Sequence, residues 1–415
     1  MKRITKALTR FTTAGALSLI FSPVIHADHM IDPSKELLIT NLSVVEDPIR
    51  TQDGLSIHPD AAAWTFGELI KNLAGDHDPS EFVVKWLRLW AEEQQVNGRT
   101  VDARARMDEF VLQPWIARSG GLPLDFSESP FILLAIVNRI DLHDLEEQSA
   151  GEGRFVFGLT NDFGFGVEFG VPFTVIFEYD MPANNELELH KWAHDWHDLG
   201  QLDINSETYK SKLTEITRRF SDRGAALDQV NQSALKQIRT NEIFLAAFDE
   251  TNGAHAEPWE FRQFELNDQG FLYQTPLEKT PHESLNGSRR VGNYIRQHAE
   301  AIMSDKYQLR PRVEAGTAIM PEEDQGIEPV IWNFPDSGID NEVRHRFALN
   351  TCNGCHFTEA PAGFMHVTFR SPAQESFLSP FLIGGAFPDP VTGEVRQFNE
   401  LERRVTVLEQ LLHAP

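Results

Sequence analysis

The two cysteines of this chain are separated by two residues and followed at once by a histidine, in the stretch Cys352-Asn353-Gly354-Cys355-His356. In a C-x-x-C-H pattern the two thiols can form thioether bonds with the vinyl groups of a haem, and the histidine can bind its iron. With 2 cysteines and 15 histidines placed at random, this arrangement would arise in roughly one chain in six thousand. The pattern therefore predicts one covalent c-type haem, with His356 as the proximal iron ligand.

Two other chemistries are compatible with the same residues. The cysteines can form a C-x-x-C disulfide, with a chance histidine behind it. They can also contribute two ligands to a zinc site, which would need further ligands such as His345 or His366. Haem is the favoured prediction, provided that the chain is exported to the compartment where haem is attached.

A second iron ligand is expected downstream of the motif. The only methionine after His356 is Met365, and His366 lies beside it. Ten extended residues span at most about 35 Å, enough for the chain to round the edge of a porphyrin. We therefore favour Met365 or His366 as the distal ligand. Met303, Met320 or an open position remain as alternatives, and a methionine would raise the reduction potential relative to a histidine.

Arginines near the motif are candidates to bind the haem propionates. Three of them, Arg344, Arg346 and Arg370, lie on either side of the C-x-x-C-H stretch. Arginine pairs well with carboxylates because its planar guanidinium can donate two parallel hydrogen bonds.

The amino terminus predicts export. Residues 1–27 combine a basic start, an apolar stretch from Phe11 to Val24 and a small residue, Ala27, at a plausible cleavage point. The apolar stretch is too short and too broken for a membrane anchor, and no later stretch is long enough to span a bilayer. We therefore expect a signal peptide and a periplasmic or secreted protein without a membrane span after cleavage.

The charge of the chain excludes some partners. Cleavage would move the formal charge from −25 to −29, because it removes four basic residues and no acidic one. Such a surface repels nucleic acid and anionic membranes, and attracts a basic partner or a cation. The expected partner is a redox protein or a small-molecule substrate.

Helices on both sides of the motif are expected to position it. Residues 341–349 predict a helix that leads into Cys352, and a regular apolar stripe predicts a helix at the carboxyl end. Residues 309–340 are rich in Pro, Gly and charge, which predicts a domain boundary near residue 322. We therefore expect a haem-binding region over 323–415.

Residues 28–322 predict a domain of mixed helices and strands. Strands are expected at 130–137, 154–158 and 173–179, with a hairpin over 259–274. Helices are expected at 61–73, 80–90, 102–112, 185–199, within 207–248, and at 291–303. The fold class is α+β, with a large mixed helix/sheet domain followed by a small, mostly helical, cytochrome c-like haem region.

Two polar groups in this domain allow two interpretations each. His190, His194 and His197 share one helix face, which fits either a metal site or, as we favour, a solvated face opposite a tryptophan stripe. The polar stretch Asn138–His143 follows a predicted buried strand, where ligands bind in open sheets. A simple Arg139–Asp141 ion pair is the favoured interpretation there.

The haem region is similar to class I cytochromes c in its motif and in the helices at its two ends. A wider resemblance rests on five stretches: Asn138–Leu142, Gly151–Gly158, Phe173–Tyr179, Trp196-His197 and Asn350–His356. Their succession resembles a group of exported bacterial proteins with a single carboxy-terminal C-x-x-C-H motif. The resemblance implies one architecture over residues 28–415 and does not imply a particular reaction.

Three functions follow from these observations. The favoured one is an exported monohaem c-type cytochrome that acts in electron transfer. The second is a periplasmic haem-dependent oxidoreductase with its substrate site in the amino-terminal domain, although no catalytic residue is identified. The third is a haem-free binding protein with a C-x-x-C disulfide. The sequence contains no nucleophile elbow, phosphate-binding loop or H-E-x-x-H motif.

Overall fold

The computed structural model describes residues 30–53, 57–160, 171–245, 248–249, 254–255, 259–307, 309, 315–316, 318–320, 330–335 and 337–413. The signal peptide predicted over 1–27 and the domain boundary predicted near 322 lie outside these ranges. Contacts between Cα atoms divide the chain into two compact units, residues 1–30 and residues 31–415. All of the described helices and strands belong to the second unit.

An eight-stranded antiparallel sheet forms the centre of this unit. Seven strands follow one another in the order β1 to β7, and β8 pairs with β6. The strands are β1 Leu38–Ile39, β2 Phe131–Arg139, β3 Ser149–Leu159, β4 Val171–Pro182, β5 Leu235–Glu242, β6 Trp259–Leu266, β7 Leu272–Thr275 and β8 Ala318–Met320. The prediction of an α+β fold is confirmed.

Twelve α-helices are present in the described part of the chain. They are α1 Pro33–Glu36, α2 Leu42–Val45, α3 Phe66–Ala74, α4 Pro79–Arg88, α5 Gln113–Arg118, α6 Glu186–His197, α7 Glu207–Ser221, α8 Arg289–Gln297, α9 Ala299–Met303, α10 Asn341–Leu349, α11 Pro380–Ile383 and α12 Glu400–His413. None of the described helices is long and apolar enough to cross a membrane.

One face of the sheet packs against helices through aromatic side chains. Phe66 of α3 stacks on Phe131 of β2 with 4.2 Å between ring centroids, and meets the edge of Phe157 at 5.8 Å. Phe220 of α7 lies so close to Gly153 of β3 that a Cβ there would be 2.3 Å from the ring. The four phenylalanines belong to the main hydrophobic core, so this face of the sheet is buried by the helices.

The opposite face of the central strands is polar. Arg154 of β3, Glu178 of β4 and Gln237 of β5 are successive cross-strand neighbours. Arg239 and Asn241 follow Gln237 on the same side of β5, because alternate residues of a strand point to the same face. A buried face of this composition requires polar or charged partners on the side that covers it.

Of the helices predicted within residues 207–248, the second, based on Leu235 and Ile238, is wrong, because residues 235–242 form strand β5. Leu235 and Ile238 have helical spacing, but the residues between and after them alternate between the two sides of the sheet. Pairing with β4 on one side and with β6 on the other decides the structure. Tertiary context thus overrides a short apolar pattern.

The other predicted elements are close to those observed. The hairpin of β6 and β7 turns over residues 267–271, and helices α10 and α12 lie on either side of the motif as predicted. The predicted helix at 102–112 is instead a π-helical turn at Asp108–Leu112 that continues into α5 through Pro114. A proline at the start of α5 is tolerated because the first turn of a helix does not use its N–H.

Candidate functional site

The C-x-x-C-H stretch follows α10 and continues into a π-helical turn at Gly354–Thr358. The hydroxyl of Thr351 accepts a hydrogen bond from the backbone N–H of Gly354 at 3.1 Å, which caps this turn. A Cβ on Gly354 would lie 1.9 Å from the carbonyl oxygen of Ala348, so only glycine fits between the two cysteines. The backbone of the motif is therefore held by Thr351, which directly precedes it, and by the close approach of Gly354 to Ala348.

The two cysteines are free thiols with different surroundings. Cys352 donates its backbone N–H to Thr280 Oγ1 at 2.9 Å and packs in a small apolar cluster around Phe261 and Leu277. Cys355 packs against the main core. The Cys352–Cys355 disulfide of the third hypothesis is therefore not formed in this structure.

His356 and His366 lie side by side, with 4.3 Å between their ring centroids. His356 Nδ1 donates a hydrogen bond to the carbonyl oxygen of Phe364 at 2.8 Å, which leaves its Nε2 without a proton. His366 Nδ1 lies 2.9 Å from Ser379 Oγ, and its Nε2 lies 3.2 Å from Cys355 Sγ. Cys355, His356 and His366 thus offer three potential metal ligands within 4.8 Å of one another.

A left-handed turn returns the chain to the motif. Gly363 and Phe364 have positive φ angles of 56° and 67°, a conformation that costs energy for a phenylalanine. The Phe364 ring is fixed by stacking between Trp259 and Phe357, each with a centroid distance of 4.8 Å. Asn241 Nδ2 donates to the same Phe364 carbonyl that accepts from His356. Strands β5 and β6 therefore hold the turn that carries His366.

The surroundings keep both imidazoles neutral. Both histidines are partly exposed. Burial of the ring in the surrounding protein nevertheless lowers the pKa of His356 to about 4. Burial, together with the neighbouring His356 ring and the positive charge of Arg404, holds the pKa of His366 well below its usual value. Only a neutral imidazole can bind a metal, so both rings are suited to ligation at neutral pH.

Cys355 and His366 also have the contact of a cysteine–histidine catalytic pair, but not its electrostatics. Burial raises the pKa of the Cys355 thiol to about 12. A nucleophilic cysteine needs a lowered pKa, because the thiolate is the reactive form. Attack by this thiol on a substrate is therefore disfavoured.

The donor types fit a c-type haem, but both His366 and Cys355 would have to move apart to admit the porphyrin, because His366 Nε2 lies 3.2 Å from Cys355 Sγ. Two thiols, a proximal imidazole and a second imidazole are grouped as such a haem requires. Two imidazoles that share one metal at about 2.0–2.1 Å have centroids about 6 Å apart. The rings of His356 and His366 must therefore separate by about 2 Å. Met365, the other predicted distal ligand, is buried at 4% exposure.

The sequence missed three residues that hold the ligands. Ser379 contacts His366, the carbonyl of Phe364 contacts His356, and Asn241 contacts that carbonyl. Ser379 and Phe364 carry no motif of their own. The sequence did give a hint of Asn241, because Gln237, Arg239 and Asn241 place polar side chains at every second position.

The three arginines predicted to bind propionates have carboxylate partners. Arg344 donates to Glu359 at 2.6 and 3.1 Å and to Asp389 at 3.1 Å. Arg346 pairs with Asp305, and Arg370 with Glu46. Each of the three is therefore already paired with a carboxylate of the protein.

The two methionines proposed as alternative ligands lie on other elements of the fold. Met303 lies on α9 with 43% of its surface exposed. Met320 lies on β8, which pairs with β6, and its side chain is outside the described part of the structure.

A second group of potential ligands lies close to the motif in sequence. His345, Glu359 and Asp389 are all buried and also bring three ligand atoms within 4.8 Å of one another. His345 Nδ1 lies 2.7 Å from Glu359 Oε2. We call these three residues together with Arg344 the His345 cluster.

Of the other polar groups, the Arg139–Asp141 ion pair is present as predicted. Arg139 donates two hydrogen bonds to Asp141 at 2.9 and 3.0 Å. His197 lies 2.8 Å from Glu36, whereas His194 is exposed. Within the described ranges, the groups of three or more potential metal ligands do not include the predicted set of His190, His194 and His197.

A cavity in the amino-terminal half bears on the oxidoreductase hypothesis. It has a volume of about 390 Å³ and is lined by residues between positions 51 and 157, among them Trp64 and Phe66. Its lining contains no residue of the C-x-x-C-H stretch or of the turn with His366. This cavity is therefore lined by residues other than the group of Cys355, His356 and His366.

Comparison with known proteins identifies no relative: no family model, no curated protein and no solved structure matches this chain.

Proposed function

We propose that the chain is an exported monohaem c-type cytochrome that transfers electrons, with haem attached to Cys352 and Cys355. In this proposal His356 is the proximal ligand and His366 the distal ligand. The observation that carries the proposal is the pair of neutral imidazoles, 4.3 Å apart, beside a C-x-x-C-H cysteine. The bound haem would supply one-electron oxidation and reduction.

Hydrogen bonds to Nδ1 support His356 and His366 as the two ligands. Metal-binding histidines usually donate their second ring nitrogen to a carbonyl or another acceptor, which fixes the ring and increases its basicity. His356 has such a partner in the Phe364 carbonyl, and His366 in the Ser379 hydroxyl. This support favours His366 over its neighbour Met365.

Two protein ligands favour electron transfer over substrate oxidation. Haem enzymes need an open position on the iron, whereas electron carriers usually have both axial positions filled by side chains. With His356 and His366 both bound, no position would remain for a substrate. We infer a basic redox partner in the periplasm or outside the cell, because the chain carries a formal charge of −25 and an export signal.

Expression with the haem-attachment machinery tests the proposal. The wild-type protein should gain the mass of one haem and give a c-type spectrum in alkaline pyridine. Replacement of both thiols, Cys352→Ala with Cys355→Ala, should abolish covalent attachment. A colourless wild-type protein from a competent host would refute the proposal.

The distal ligand is tested by a matched pair of neighbouring variants. His366→Ala should convert a low-spin, six-coordinate spectrum into a high-spin one that binds small ligands such as azide. Met365→Leu should retain the low-spin spectrum, because leucine fills a similar buried volume. The opposite pattern would assign the ligand to Met365.

A second candidate function is binding of a single transition metal without haem. Cys355, His356 and His366 bring a thiol and two neutral imidazoles within 4.8 Å, a set that suits zinc or copper. Metal analysis of the same purified protein separates the two functions. One equivalent of zinc or copper, together with no Soret band, would support this candidate.

A further inference from the structure

Arg404 on helix α12 is a buried arginine with little compensation for its charge. Only 5% of its surface is exposed. Within the described part of the chain it makes one hydrogen bond, from Nε to Glu400 Oε1 at 3.3 Å. Glu400 is already engaged by Arg403, which donates to both of its oxygens at 2.8 and 2.6 Å. Burial of a guanidinium with a single, shared carboxylate partner is unfavourable unless another anion is present.

The neighbouring charges leave one positive charge in excess. Arg139 and Arg403 both bind Asp141, and Arg403 and Arg404 both bind Glu400. Three guanidinium groups therefore share two carboxylates. Burial and the positive charge of Arg139 lower the pKa of Arg404 to about 10, so that its guanidinium still carries a proton at neutral pH. Arg154, the next cation, is satisfied separately by Glu152 and Glu178.

This excess charge lies beside the proposed haem site. Helix α12 packs on α11, and Phe381 of α11 is 4.9 Å from the ring of His366. Leu401 and Leu408, on the same helix as Arg404, belong to the hydrophobic core against which Cys355 packs. A haem bound at this site would thus have a buried cation within electrostatic reach.

We propose that Arg404 binds a propionate carboxylate of the haem. The inference rests on the proposed function, because the propionate belongs to that haem. A propionate would supply the negative charge that Arg139, Arg403 and Arg404 lack. It would also accept hydrogen bonds from the two Nη atoms of Arg404, for which no described residue is an acceptor.

The test measures the pKa of the propionates directly. The full-length haem protein is prepared with haem labelled with ¹³C at the propionate carboxyl carbons, and their NMR shifts are followed as the pH is varied. In the wild type one propionate should titrate well below the other. Arg404→Met should raise that pKa by about 1–3 units, because an adjacent opposite charge is removed.

A second variant should shift the same pKa in the opposite direction. Glu400→Gln removes the carboxylate that competes for Arg404, so the propionate pKa should fall. General disturbance of the fold would not produce opposite shifts in the two variants. Arg346→Met is the control, since that arginine is paired with Asp305 and should leave the propionates unchanged.

The outcomes separate this inference from the proposed function. Absence of covalent haem in the wild type would refute both. Attached haem with an unchanged propionate pKa in Arg404→Met would overturn only the assignment of Arg404. If Arg404→Met does not fold, Glu400→Gln alone decides. An unchanged or raised propionate pKa in that variant would overturn the assignment of Arg404. A shift in Arg346→Met equal to that in Arg404→Met would also overturn the assignment.

Discussion

The His356–His366 pair and the His345 cluster have similar ligand types but opposite electrostatics. The pair has two neutral imidazoles, and the hydrogen bonds of these rings to the described residues go to a carbonyl, a hydroxyl and a thiol. The cluster has two buried carboxylates that both pair with Arg344, and Asp389 pairs with Arg396 as well. A metal ion entering the cluster would have to displace a guanidinium. Three potential ligand atoms that lie close together therefore indicate a metal site only where no arginine or lysine of the protein is already bound to them.

The largest expected effect follows removal of that cation. Arg344→Met should lower the free energy of unfolding by about 3–5 kcal/mol, because it leaves two buried carboxylates without their shared partner. Urea unfolding of the wild type and the variant measures the difference. Lys212→Met is the control: Lys212 forms an exposed ion pair with Glu215 at 3.3 Å, worth about 0–1 kcal/mol. Equal losses in the two variants would contradict the role given to Arg344.

The sequence singled out the residues of the first region, which the structure brings together, but did not predict the grouping of the second. C-x-x-C-H and the nearby His366 could be recognised because covalent haem ligation depends on short spacings along the chain. The His345 cluster joins residues up to 45 positions apart, from Arg344 to Asp389. No local pattern marks such a cluster, since its members meet only after α10 packs against the chain that follows the motif.

The same physical reason explains the error at β5. Helices α10 and α12 could be predicted because their apolar periodicity is local. Strand β5 depends on partners on both sides, β4 and β6, which lie far away in the sequence. The misassigned segment contains Asn241, which holds the turn with His366. The motif could therefore be predicted, whereas the sheet that supports it could not.

A smaller, pH-dependent effect on stability is expected for Asp389, one of the two carboxylates of the His345 cluster. Burial alone would raise the pKa of Asp389, but hydrogen bonds from the backbone of Thr392, from Asn341, from the backbone of Val391 and from Arg396 lower it well below its ordinary value of 3.8. A lowered pKa in the folded state means that the carboxylate stabilises the fold above pH 3.8. This contribution is lost progressively as the pH falls below that value.

Asp389→Asn should therefore destabilise the protein by about 2–3 kcal/mol at pH 6, the size expected for lost hydrogen bonds to a charged group. The difference from wild type should shrink between pH 4 and pH 3. Urea unfolding at several pH values measures it. Glu342→Gln, which removes an exposed partner of Arg396, is the control and should cost about 0–1 kcal/mol. A difference that stays constant down to pH 3 would refute the role of the Asp389 charge.

The variant with the smallest expected loss of stability, His345→Leu, distinguishes most sharply between the His345 cluster and the His356–His366 pair. His345→Leu removes one hydrogen bond from Glu359, which keeps both bonds from Arg344, so unfolding should become easier by only about 1–2 kcal/mol. The haem spectrum should not change, because His345 binds carboxylates and not iron. His366→Leu should do the reverse and abolish the low-spin spectrum. Visible spectra and urea unfolding of both variants complete the test. A spectral change in His345→Leu would mean that the His345 cluster belongs to the redox site, and the contrast in charge would then no longer distinguish a metal site from an ion-pair network.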